Sequence, residues 1–152
     1  MLRVGRRLVI AGPGEHGPLE RGAVAVVVPT GAFGSGEHET TASCLEALEG
    51  LQGLPGSRVL DVGCGTGILA VAALALGAAE AVGVDPDPGA AATSRRSAGL
   101  NHVRGRLAVV LGTLETLRPC PFEVVVANIH GEVLVSAADA ILERAAPGGV
   151  IL

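Results

Sequence analysis

The chain contains no lysine, no tryptophan and no tyrosine, and its only aromatic residues are Phe33 and Phe122. A core so poor in rings must be filled by Val, Leu, Ile and Ala, with 23 glycines permitting close backbone approach. All eleven basic residues are arginine, so the chain carries no side-chain amine. These arginines form no long run and no basic–aromatic stripe, and the net charge is −4, which argues against direct nucleic-acid binding. An acidic surface suits a basic protein partner, although the same charge also serves solubility alone. Cysteine is scarce: Cys44, Cys64 and Cys120 are odd in number and widely spaced, which excludes a disulfide framework or zinc knuckle and fits a reducing cytoplasm. His16, His38, His102 and His130 show no ligand spacing, so no metal site is expected. No apolar run is long enough to cross a membrane, and Leu8–Ala11 after Arg3, Arg6 and Arg7 is too short for a signal-peptide core.

What is present reads as one globular domain: 152 residues, 49% of them hydrophobic and 17% charged. A chain of this size can bury roughly 70% of its unfolded surface. Two short strands, Leu8–Ala11 and Ala23–Val28, flank a Gly/Pro-rich turn and predict a β-hairpin lead-in over residues 1–30. A glycine-rich loop, Gly31 to Gly36, precedes a helix from about His38 to Leu51 with Leu45, Leu48 and Leu51 on one face. Thereafter apolar strands alternate with helices. Strands are expected at Arg58–Val62, Ala81–Val84, Leu107–Leu111 and Glu123–Ala127, with a fifth beginning at Val150–Leu152. Helices are expected at Ile68–Leu76, Gly89–Leu100 and Glu132–Ala146, the last stopped by Pro147-Gly-Gly. This alternation predicts an α/β, Rossmann-like fold over residues 31–152, a mostly parallel sheet with helices on both faces.

The run Val59-Leu-Asp-Val-Gly-Cys-Gly-Thr-Gly67 stands where the first of these strands turns into its helix. Gly63, Gly65 and Gly67 let backbone pass close to a ligand, and the helix start beyond them offers free N–H groups. Asp85 ends the next strand, where an ionised carboxylate can accept both hydroxyls of a ribose. Three readings compete. A dinucleotide fingerprint needs a glycine three residues after Gly65, and Ile68 stands there. A ligand-free tight turn would not require Asp61 and Asp85 at this spacing. S-adenosylmethionine fits best, because Asp61 can receive its methionine ammonium group, whereas it would repel a pyrophosphate. After the third strand, Gly112-Thr113-Leu114-Glu115 is expected beside the adenine ring, with backbone groups of Thr113 and Leu114 at its edge; an ordinary polar turn is the plain alternative. Asp87 and Glu115 are candidates for ribose or adenine support, or are solvated turn residues.

Two further segments carry a family resemblance. Gly31-Ala-Phe-Gly-Ser-Gly-Glu-His-Glu-Thr-Thr41 resembles the A-F-G-T-G-x-H-x-T-T signature of the ribosomal protein L-eleven methyltransferase family, PrmA. Val124-Val-Val-Ala-Asn-Ile129 resembles that family's D-V-V-V-A-N-I segment, and the resemblance runs from about Val4 to Leu152. It implies a class I methyltransferase fold, a ribosomal-protein substrate, and cofactor contacts at Thr41, Gly63, Asp85 and Asn128. Thr41 can bond the carboxylate end of the methionine moiety. Phe33 and its loop can cover the cofactor, and His38 either contacts a ligand or pins the loop. Asn128, at the C-terminal end of the fourth strand, is the expected catalytic residue: its side-chain carbonyl can accept an N–H and aim an amine at the sulfonium methyl. A strand-end turn residue is the bland alternative.

The family carries an N-terminal substrate-recognition domain, and this chain is expected to start after it. Its sheet is likewise expected to stop at the fifth strand, leaving Val150–Leu152 as a bare edge that invites self-association. The leading expectation is an S-adenosylmethionine-dependent N-methyltransferase acting on protein lysine or terminal amines. A small-molecule methyltransferase and a non-catalytic cofactor-binding remnant are the alternatives.

Overall fold

The computed structural model describes residues 1–15, 17–29 and 39–152. Eight strands and four helices are seen among them. A three-stranded sheet comprises β1 (Leu2–Val4), β2 (Leu8–Ala11) and β3 (Val24–Val27). After α1 (Glu39–Gly50), a five-stranded sheet is built from β4 (Arg58–Val62), β5 (Glu80–Asp85), β6 (Leu107–Leu111), β7 (Phe122–Val126) and β8 (Ala145–Ile151). Between these strands run α2 (Ile68–Ala75), α3 (Pro88–Leu100), a 3-10 turn (Leu114–Thr116) and α4 (Gly131–Arg144). The strand order is β6-β5-β4-β7-β8, and every pairing in this sheet is parallel. The order reverses beside β4, so the C-terminal ends of β4, β5 and β7 open a crevice, the usual ligand position in such sheets.

Alternation along β4 assigns its two faces. Val59 joins the core shared with α1, α2 and the N-terminal sheet, whereas Leu60 and Val62 join a smaller cluster with Leu114, Phe122 and Ile141. Helices therefore cover both faces, as the strand–helix alternation predicts. Val4, Leu8, Ile10, Val26 and Val28 pack into the larger core, so the lead-in shares its hydrophobic interior with α1 and α2. Phe122, the aromatic ring at the start of β7, is buried with the Arg58 guanidinium 5.1 Å above its centroid.

Two sequence expectations are corrected. The strands Leu8–Ala11 and Val24–Val27 pair in parallel, with Leu8 opposite Val24, so they are not the two arms of a hairpin. The hairpin lies earlier, where β1 and β2 pair antiparallel across Gly5-Arg6-Arg7. There the Glu49 carboxylate of α1 accepts from the Arg6 N–H at 2.7 Å and the Arg7 N–H at 2.5 Å. Part of the placing of β3 is also non-local: the Asn101 side chain accepts from Val27 N–H at 2.8 Å and donates to Val27 C=O at 2.6 Å. One amide side chain thus pairs with a strand residue as a neighbouring strand would.

The second correction concerns Pro147-Gly148-Gly149, which lies inside β8 and not at a helix stop. The helix ends at Arg144 and the strand starts at once, with a register shift opposite Phe122 and Val124. Proline is tolerated because β8 is an edge strand and the ladder is irregular there. A side chain at Gly149 would lie 2.9 Å from Ala146 O and 3.0 Å from Glu123 O, so two backbones meet where only glycine fits.

Candidate active site

The turn after β4 is held by backbone bonds to the neighbouring strand. Gly63 and Cys64 both donate to Val84 C=O, at 2.8 and 3.1 Å, and Gly67 N–H closes the turn onto Cys64 C=O at 2.7 Å. Gly63 has φ 68°, and a β-carbon on it would lie 2.3 Å from Ile129. The first glycine therefore lets the β7–α4 connection approach the turn. Gly67 has φ 74° and caps α2. A β-carbon there would stand 2.4 Å from Ser94 Oγ of α3, so this glycine permits helix packing.

A cavity of about 800 Å³ opens at the crevice, within the range of roughly 300–1,000 Å³ of small-molecule sites. Its floor is Asp61, Gly63 and Gly65; one wall carries Asp85 and the turn Gly112–Glu115, and the other carries Thr41, Asn128 and the start of α4. Of the residues expected at a cofactor site, Thr41, Asp61, Gly63, Gly65, Asp85, Thr113, Leu114 and Asn128 come together on this one cavity. Gly67 does not line it; the third glycine faces Ser94. Phe33 and His38 lie outside the described residues.

The two aspartates differ in their surroundings. Asp85 Oδ2 accepts from Gly65 N–H at 2.9 Å, and its Oδ1 accepts from Asp87 N–H at 2.9 Å. Each carboxylate oxygen keeps a further lone pair, so Asp85 shapes the turn and can still accept two hydroxyls. Asp61 is 1% exposed and takes one backbone bond, from Ala70 N–H at 3.1 Å. Burial, opposed by the Ala70 bond and helped by the charge of Asp85, leaves its carboxyl pushed up to about 7. No cation pairs with it among the described residues. Between them, Cys64 is held protonated by burial, its thiol pushed up to about 12, so it offers no nucleophile.

On the opposite wall, Asn128 Nδ2 donates to Thr41 Oγ1 at 3.0 Å, and Thr41 is 2% exposed. One amide N–H of Asn128 is spent on Thr41, which fixes the side chain and leaves its carbonyl as an acceptor available to a ligand. Asp87, a candidate for ribose support, instead caps α3: its carboxylate accepts from Gly89 and Ala90 N–H at 3.3 and 2.9 Å. Thr113 donates to the Glu115 carboxylate within its turn. The sequence reading missed Ile129, His130, Val133, Ser136 and Ala137, which extend the wall along α4. Their signal was positional: they follow Asn128 directly into a helix whose apolar residues do not all face the core.

The sequence profile of the ribosomal protein L11 methyltransferase (PrmA) family matches residues 2–152. This chain belongs to that family. It is 44% identical over 151 residues to the ribosomal protein L11 methyltransferase of Symbiobacterium thermophilum, covering 99% of this chain and 49% of the relative. Identity to the Xanthomonas axonopodis pv. citri protein of that description is 50% over 140 residues, covering 90% of this chain and 45% of the relative. The chain thus spans about half the length of these curated relatives. The crystal structure of a ribosomal protein L11 methylase from Lactobacillus delbrueckii subsp. bulgaricus superposes with TM-score 0.88 and 28% identity, over 99% of this chain and 77% of that one. An S-adenosylmethionine-dependent methyltransferase from Thiobacillus denitrificans, solved with S-adenosyl-L-homocysteine, shares the fold at TM-score 0.61 and 21% identity, over 72% of this chain and 46% of that one. The PrmA resemblance noted on Val124–Ile129 thus falls on the strand end that carries Asn128 into the cavity.

Proposed function

We propose that this chain binds S-adenosylmethionine in the 800 Å³ cavity and directs its methyl group to an amine of a protein substrate, as a ribosomal-protein methyltransferase would. One observation carries the reading: Asp61 is a fully buried carboxyl with no cationic partner among the described residues, on the floor of a cavity that Asp85 makes more acidic. A buried carboxylate without a countercharge is costly, and a ligand bearing an ammonium and a sulfonium supplies what is missing. A pyrophosphate would add to the penalty.

The roles follow from position. Asp85 accepts the ribose hydroxyls on the lone pairs that Gly65 and Asp87 leave unused. The Thr113–Leu114 turn runs along the adenine, Gly63 and Gly65 admit the ligand close to backbone, and Thr41 stands beside the methionine end. The cofactor's contribution is an electrophilic methyl carbon. The chain's own contribution is to place a neutral amine before it. Asn128, fixed by its bond to Thr41, accepts one amine N–H and so aims the lone pair. A lysine amine has an ordinary pKa of about 10.4, so the partly apolar cavity helps by favouring its uncharged form. The wall beyond Asn128 ends in His130 and Val133, both exposed, which suits a side chain entering from outside better than an enclosed small molecule.

Calorimetric titration of S-adenosylmethionine into the purified chain, with Asp85→Ala as comparison, tests the cofactor. Micromolar binding that weakens by at least about tenfold in the variant is expected, the scale of losing charge-assisted hydrogen bonds. A folded chain that does not bind would remove the reading. Transfer of labelled methyl to a lysine-rich ribosomal protein, lost in Asn128→Ala, then separates an enzyme from a binding remnant.

A further inference from the structure

Arg144 ends α4 and is 8% exposed. No carboxylate forms an ion pair with it among the described residues. Its Nη2 instead donates to Leu114 C=O at 3.0 Å and reaches Leu117 C=O at 3.5 Å, while its buried Nε has no partner. These carbonyls belong to the turn that forms one wall of the cavity, yet Arg144 does not line the cavity. It stands behind the wall.

Burying a guanidinium is unfavourable, and the charge of Glu115, near enough to be felt, and the favourable end of the α4 dipole offset only part of that. The turn does not need Arg144 for its shape. Thr116 N–H bonds Thr113 C=O at 3.0 Å, Leu117 N–H bonds Leu114 C=O at 3.1 Å, and Thr116 Oγ1 donates to Thr113 C=O at 2.6 Å. Those bonds all lie within the turn; its start is tied to β5 by Gly112 N–H to Asp85 C=O at 2.9 Å, but among the described residues no backbone bond joins Leu114–Leu117 to another element. Apolar contact between Leu114, Leu117 and Ile141 is non-directional. The bonds from Arg144 Nη2 are directional, and they join the turn to the helix that forms the facing wall.

We propose that Arg144 is a positioning residue for the purine end of the cavity, holding the Leu114–Leu117 segment at its working distance through the main-chain carbonyls at its two ends. This rests on the adenosyl-binding reading above. The consequence is selective by ligand half: displacing the turn weakens everything that carries adenine and leaves the methionine end alone.

The test measures binding of adenosine and of S-adenosylhomocysteine to the native chain, Arg144→Met, Arg144→Lys and, as a contrast, Asp61→Asn. Arg144→Met should weaken both probes by the same factor, about tenfold, on the scale of a charged hydrogen bond to a buried carbonyl. Arg144→Lys should recover most of that loss. Asp61→Asn should weaken S-adenosylhomocysteine and spare adenosine. Arg144→Met that folds yet binds both probes as the native chain does would overturn the proposal, as would a lysine variant no better than methionine. If the methionine variant does not fold, the native protein decides: the Arg144 Nε–H resonance should move on adding adenosine and not on adding methionine, and no movement with adenosine would overturn the proposal. A native chain that binds neither probe would remove the adenosyl reading itself, and this inference with it.

Discussion

Helices α2 and α4 are both rich in apolar residues, but they live in opposite environments. In α2 every residue from Ile68 to Leu74 is buried, whereas in α4 only Ile141 and Arg144 are. The reason is what surrounds them. Helix α2 is enclosed by β4 and β5 on one side and by β3, α1 and α3 on the others, so an all-apolar circumference is satisfied. Helix α4 touches β7, β8 and the 3-10 turn along a narrow seam, leaving Val133 51%, Val135 78% and Leu142 61% exposed. The difference separates two jobs. The floor of the cavity is anchored to a helix that cannot move without opening the core, while the wall facing the acceptor is anchored along one seam only.

The contrast can be broken most severely from the α2 side. Val71→Asp would place an unpaired carboxylate in the closed layer; the cost, several kcal/mol, is comparable to the roughly 5–15 kcal/mol that hold a domain together. Circular dichroism should show no cooperative melting transition. An intermediate effect is expected at the floor itself. Asp61 holds its proton in the folded chain up to about pH 7, whereas the unfolded chain releases it near the ordinary carboxyl value of 3.8. Folding then binds a proton across that window, so the contribution of Asp61 to stability falls as pH rises from about 4 to 7 and stays lowered above it. Relative to the native chain, Asp61→Asn should therefore gain stability between pH 5 and pH 8, by up to about 1.4 kcal/mol per pH unit inside the window. Urea melts at both pH values measure it, and an unchanged difference would contradict a buried, unpaired Asp61. The smallest effect belongs to α4: Val135→Asp should change stability by no more than about 0.5 kcal/mol in the same assay. A larger loss would mean that the exposed face is covered in solution.

Much of this architecture was legible in the residues because the signals were local. The β4 run, the glycine turn and the acid at the end of β5 each combine a strand pattern with residues whose chemistry has few other uses. The parallel pairing of β2 and β3 was not legible. Two short strands flanking a Gly/Pro turn look like a hairpin, and the register of β3 depends partly on Asn101, far along the chain. That Gly67 faces Ser94 and does not line the cavity was not legible, because a glycine that admits a ligand and one that admits a neighbouring helix look the same in sequence. Asp87 was legible only as a ribose or adenine candidate or a solvated turn residue; that it caps α3 rests on its bonds to Gly89 and Ala90. The unpaired burial of Asp61, on which the cofactor reading rests most heavily, depends on neighbours from several elements and becomes visible only once they are assembled.

Helix α3 deserves to be seen as a strut. At one end Asp87 caps it while its own N–H bonds Asp85; at the other, Asn101 grips Val27. Thirteen residues of helix, about 20 Å long, therefore join the carboxylate facing the cavity to the last residue of β3. Whatever takes hold of Asp85 also leans, through a stiff rod, on the N-terminal sheet, so the small sheet and the cavity share one mechanical frame.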